Sequence, residues 1–236
     1  MSPPGASPFP GSAPQPRPRQ LAFALGHAES LAREDFLAGR SNEVALALIE
    51  RWPDWPNRMM VLVGGEGAGK SHLAAIWAEI AGARVAAART LEAASLPAAL
   101  ATGALVLEDL VEDGFDERAL FHLINLVREE GAFVLATART QPAGWRIAVP
   151  DLASRLRALP VVELASPDDT LLRAVIVKLF ADRQLAVEES LVAYLATRIE
   201  RSFAAARRAV EVLDREALRL KRPVTRTLAA ELFREP

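Results

Sequence analysis

With 236 residues, 51% apolar and 25% charged, the chain has a globular composition that fits one mid-sized domain or a core with a small satellite. Its net charge of −2 gives no basic field over the whole molecule, which argues against a DNA-coating protein and leaves any DNA contact weak or indirect. Cysteine is absent, which excludes disulfides and thiolate metal sites and suits a reducing cytoplasm; no long apolar run offers a membrane span or a secretory signal.

The chain opens on "MSPPGASPFPGSAPQPRP", too rich in proline to offset its ordering entropy, so residues 1–19 read as a disordered tail. "QLAFAL", residues 20–25, interrupts it with closely spaced apolar side chains, and is read either as a tethered peptide or as a short element docked on the chain's own core. The next signal is a helix over 42–51, "NEVALALIER", with Asn42 as its expected N-cap.

"RMMVLVGGEGAGKSHLAAIWAEIAG" follows: an apolar run of strand length, a glycine turn and a helical pattern. "GGEGAGKS", Gly64 to Ser71, fits G-x-x-x-x-G-K-[ST] in the required strand–loop–helix context. Glycines such as Gly64, Gly67 and Gly69 let backbone N–H groups turn toward phosphates, and the helix N-terminus adds partial positive charge. Lys70 would reach the β- and γ-phosphates, and the Ser71 hydroxyl would ligate Mg²⁺. Of the 28 basic residues only Lys70, Lys178 and Lys221 are lysines, so a compact ammonium in this loop stands out from an arginine background.

Further apolar runs lie at 84–88, 104–108, 132–137 and 161–164, with helical stretches such as 116–130 between most of them. This alternation predicts an α/β fold: a five-stranded parallel sheet with helices on both faces. "ALVLEDL" puts Glu108 and Asp109 at a strand end, where a carboxylate would hold Mg²⁺ and orient water. Which of the two does so stays open.

"PDLASRLRALP" reads as a short helix entered through Pro150. Arg155 within it is either a phosphate-reaching arginine or a surface side chain paired with Asp151, while Arg157 would face elsewhere. Beyond residue 166 the pattern is helical throughout, over 168–183, 188–200, 203–220 and 225–234, which predicts a small all-helical subdomain. Its excess of arginine is read mainly as a solvated face. Val210, Leu213, Ala217 and Leu220 are expected to pack in its core, and the three histidines show no metal-ligand spacing.

The order of P-loop, acidic strand end, "FVLATAR", "PDLASRL" and helical lid resembles an AAA+ module. "PDLASRL" is similar to the arginine-finger box of the Hda family, regulatory homologues of the replication initiator DnaA, and "FLAGRSNEVALALI" resembles the segment before the P-loop in DnaA-type proteins. The resemblance covers about residues 20–235 and implies an AAA+ core over 26–165 with a lid over 166–236. It further implies bound ADP or ATP with Mg²⁺, Phe36 and Asn42 near the adenine, and Thr137 on the sensor-one strand. Arg155 becomes an arginine finger supplied in trans to ATP on DnaA.

"QLAFAL" resembles the peptide that binds the bacterial sliding clamp, the beta subunit of DNA polymerase III, with Gln20, Leu21, Phe23 and Leu25 as its contacts. Two positions depart from the family pattern: Arg139 stands where an Asp is usual, and Ala204 aligns with the sensor-two arginine, flanked by Arg201 and Arg207. Both departures imply weak ATPase activity of the chain's own. The chain stops after the lid, without the DNA-binding domain of an initiator, which under the resemblance makes it a cytoplasmic negative regulator of replication initiation, with self-association also in view. The competing expectation is a stand-alone ATPase motor or a helicase-loading adaptor.

Overall fold

The protein is described from a computed structural model over residues 31–233. The proline-rich stretch 1–19 and the hexapeptide carrying Gln20, Leu21, Phe23 and Leu25 lie outside the described residues.

Five strands form one parallel sheet in the order β2-β3-β4-β1-β5. They are β1 (Met59–Gly64), β2 (Arg84–Ala87), β3 (Ala104–Leu110), β4 (Phe133–Ala138) and β5 (Val161–Leu164). Every residue of β1 is buried, as a central parallel strand covered on both faces requires. Its register sets Val61 beside Ala136 of β4 and Val161 of β5, and Leu62 beside Thr137.

Side chains alternate between two cores. Met59, Val61, Val63, Leu105, Leu107, Val134 and Ala136 pack on one face, with Leu120 and Leu123 of α4 (Glu117–Glu130) and Leu152 and Leu156 of α5 (Pro150–Ala158). Met60, Leu62, Val106 and Leu135 pack on the other, with Ile49 of α1 (Glu43–Glu50) and Leu73, Ile76 and Trp77 of α2 (Lys70–Ala81). A one-turn helix, α3 (Leu96–Ala99), absent from the sequence reading, follows β2.

After β5 the described chain is helical: α6 (Asp169–Asp182), α7 (Glu189–Arg198), α8 (Phe203–Leu220) and α9 (Arg226–Leu232). They share a core built from Leu172, Ile176, Phe180, Leu195, Val210, Leu213 and Leu228. The expected helices 188–200 and 225–234 are shorter at each end, because Glu188 and Thr225 take extended backbone as caps and Ile199 leaves helical geometry. Leu220 does not join Val210, Leu213 and Ala217 in the core; it ends α8 and is 37% exposed. No helix among the described residues is long and apolar enough to cross a membrane.

Candidate functional site

The loop between β1 and α2 turns through Gly67 and Gly69, whose φ angles of 69° and 96° are strained for any residue with a Cβ. Lys70 follows at the first position of α2, buried, with Nζ donating to the carbonyls of Gly64 and Gly65 at 2.7 Å each. The ammonium thus lies along the loop's own backbone. Burial pushes its pKa below 10.5, Arg139 adds to the push, and Asp109 and Glu66 oppose it. Ser71 is exposed at the next position.

Two features of this neighbourhood were not legible in the sequence. Arg139, just past the end of β4, pairs with Glu66 on the loop at 3.2 Å, so the site gains a second cation where the family pattern has a carboxylate. The other lies in β3. Leu107 pairs with Ala136 and Leu110 with Ala138, so β3 carries one extra residue across this span. The bulge falls on Glu108 and Asp109, and Asp109 takes φ 54°. Its N–H is held by the buried Thr137 hydroxyl at 3.0 Å. Asp109 is the carboxylate of the pair whose charge acts on Lys70; Glu108 does not figure there. One hydroxyl and one or two carboxylates beside phosphates is the donor set Mg²⁺ uses, so Ser71 with Asp109 or Glu108 fits that ion.

On the opposite side of the loop stands the start of α8. The N–H of Phe203 donates to the Gly67 carbonyl at 2.9 Å, and Ser202 caps the helix by accepting from the N–H of Ala205. A Cβ on Gly67 would come within 2.6 Å of the Ala204 Cβ, so the glycine and the alanine are complementary. Ala204, half-buried against Gly67, stands where the sensor-two arginine was expected. Arg201 is exposed and precedes the helix, so it is not one turn from Ala204 on a common face, as the sequence reading had it; Arg207 lies on α8, half-buried.

Phe36 is buried, stacks edge-on against His72 of α2 at 5.1 Å, and approaches Gly69 together with the Phe203 ring. Asn42 sits at the N-cap position of α1, but its side chain does not cap the helix. Its Oδ1 accepts from the Gly39 N–H at 2.8 Å and its Nδ2 donates to the Leu37 carbonyl at 3.1 Å, which fixes the loop after Phe36. Lys178 of α6 ties the same segment to the helical part through Asp35 at 2.7 Å. Its pKa is raised, because bonds to Asp35 and Asp182 outweigh a larger single effect of burial in the opposite direction.

Arg155 stands apart from this group, on α5. Its guanidinium lies over the Phe121 ring of α4, 4.8 Å from the centroid, and Nη1 is buried without a hydrogen-bond partner among the described residues. The expected alternative, a pair with Asp151, does not form. Arg157 turns away and donates to the Ser154 hydroxyl at 3.3 Å. The loop entering α5 is anchored by carboxylates that the sequence did not single out: Glu117 accepts from the N–H groups of Ala148 and Val149, and Glu112 from that of Arg146.

No protein-family pattern and no curated protein sequence matches the chain. Solved structures do. Domain III of the Thermotoga maritima replication initiation protein DnaA is 17% identical, with a TM-score of 0.70 over 87% of this chain and 98% of that one. AMPPCP-bound DnaA from Aquifex aeolicus is also 17% identical, with a TM-score of 0.63 over 79% of this chain and 65% of that one. The Thermotoga maritima RuvB Holliday junction branch migration motor is 18% identical, with a TM-score of 0.67 over 86% and 70%. At these identities the likeness shows the fold alone: an α/β P-loop core like that of the DnaA and RuvB structures, with a helical C-terminal part.

Proposed function

We propose that this chain binds an adenine nucleotide with Mg²⁺ in the Gly64–Ser71 loop and supplies Arg155 to ATP held by a partner, DnaA, promoting its hydrolysis. Within its own site Lys70 and the loop N–H groups hold the phosphates, Ser71 and Asp109 or Glu108 hold the ion, and Phe36 with Phe203 flanks the loop at Gly69. The alanine at position 204 in place of an arginine and the replacement of the usual carboxylate by Arg139 favour binding over turnover. AMPPCP on the DnaA structure that the fold resembles accords with this use of the loop.

The observation that carries the reading in trans is the state of Arg155. Among the described residues its guanidinium has no carboxylate partner, and the cation that bears on the chain's own P-loop lysine is Arg139 instead. A buried cationic N–H is costly without an acceptor. Arg155 as a whole is only half-buried, so its other N–H groups can meet a phosphate oxygen on a docked neighbour, and a guanidinium on the charge developing there is worth about 10³–10⁵ in rate. The hexapeptide Gln20–Leu25 would tether the chain to the DNA-loaded sliding clamp, raising its concentration beside DnaA. The outcome is a negative regulator of initiation working in the cytoplasm.

The test is to add the full chain to DnaA carrying radiolabelled ATP, with clamp loaded on DNA. Faster conversion to ADP supports the regulator; an unchanged rate counts against it. A second reading, a motor of its own, is favoured by the likeness to RuvB and by the Asp109 charge acting on Lys70. Sustained ATP turnover by the purified chain, indifferent to clamp and DnaA, would establish that reading instead.

A further inference from the structure

We infer that Phe121 is a positioning residue for Arg155, and that α4 acts as a jig which fixes both the entry of α5 and the direction of its guanidinium. The inference rests on the trans reading of Arg155 and adds to it a residue that acts only through that arginine.

Glu117 and Phe121 lie four residues apart on α4, hence on one face. Glu117 grips the start of α5 through two backbone bonds, of 2.9 and 2.8 Å, to Ala148 and Val149. One turn further along, the Phe121 ring lies under the Arg155 guanidinium at 4.8 Å, inside the distance at which a ring face attracts a cation, about 6 Å. Among the described residues no oxygen accepts from the buried Nη1. The ring is therefore what keeps the guanidinium at this place instead of in water. Arg157, two residues on, is held by Ser154 and does not compete for the ring.

An aliphatic side chain of similar size would fill the volume but offer no negative face. The guanidinium would then leave for solvent and sample many rotamers, so fewer encounters would find it aimed at the partner's phosphate. An aromatic replacement would keep the aim. The loss should fall on the maximal rate and spare the concentration giving half-maximal stimulation, because aim matters after docking.

The experiment compares full-length wild type, Phe121→Leu and Phe121→Tyr in stimulated hydrolysis of DnaA-bound ATP, and follows the Arg155 Nε–H resonance of the chain alone. Phe121→Leu should lower the maximal rate about 3- to 30-fold, the size of a cation–π contact, with half-saturation unchanged. Phe121→Tyr should stay within about twofold of wild type, a difference smaller than most such contacts. The Arg155 resonance should carry an upfield ring-current shift in wild type and Phe121→Tyr and lose it in Phe121→Leu. If the shift survives in Phe121→Leu, the ring does not hold Arg155 and the inference is overturned. It is equally overturned if the shift is lost while the rate is kept, or if Tyr falls as far as Leu. A wild type that gives no acceleration defeats the underlying trans reading instead, while the resonance still reports whether the ring holds the arginine.

Discussion

Lys70 illustrates how one side chain can respond to pH with two signs. Burial holds its folded pKa below 10.5, the value it regains on unfolding. Between those two values the unfolded chain binds more protons, so this group's contribution to stability rises with pH. Nucleotide binding needs the charged form and so falls over the same window. In the free protein we expect ADP affinity to decline on the alkaline side before an ordinary lysine would titrate, while urea stability does not decline with it. Calorimetric titration and urea melts at matched pH would show parallel losses if the two effects were not separate. Thr137→Val tests the neighbouring bulge: it strands the Asp109 N–H, which should cost about 1–3 kcal/mol in a urea melt. Lys70, Ser71 and Arg155 could be singled out in the sequence because each sits in a local pattern of residue types and spacing. Arg139 was read only as a departure, since its partner Glu66 is far away in sequence and the pair exists only once β4 lies beside β1.

Elements were easier to read than their irregularities. The central strands β1, β3 and β4 show as apolar runs because a parallel sheet covered on both faces leaves no polar alternation to disguise them. The bulge in β3 left no such mark: "LEDL" has the same letters whether or not one residue is looped out, and only the buried Leu107 and Leu110 on one core reveal the slip. That slip bears on the choice between Glu108 and Asp109. Asp109→Asn should weaken the Mg²⁺ dependence of nucleotide binding more than Glu108→Gln does; the reverse order would make Glu108 the ion's carboxylate. Ala204 was likewise visible as a missing arginine, but its reason was not. The close approach of α8 to Gly67 is a tertiary contact. Placing arginine at Ala204, whose Cβ lies where a Cβ on Gly67 would fall, should therefore overpack the joint, lowering stability by about 1–3 kcal/mol and weakening nucleotide binding. A variant as stable as wild type that binds nucleotide more tightly would show that the lid yields and the contact is loose.

At the scale of the molecule, the P-loop site and the arginine helix are separate devices on one sheet. Lys70, Asp109, Arg139 and the start of α8 surround the loop, whereas Arg155 rests on α4 with no bond to any of them. Such a division suits a protein that holds one nucleotide and acts on another. Replacing Gln20, Leu21, Phe23 and Leu25 with alanine should abolish clamp capture in a pull-down while leaving ADP binding intact; retained capture would place the clamp contact elsewhere. The most direct test of the central claim is the hydrolysis of DnaA-bound ATP, with clamp on DNA, by wild type and by Arg155→Ala. The variant's ADP binding, measured in parallel, would verify its fold. The account predicts stimulation by wild type, about a thousandfold less or none by the variant, and equal ADP binding. An Arg155→Ala protein that binds ADP normally and stimulates as well as wild type would contradict it.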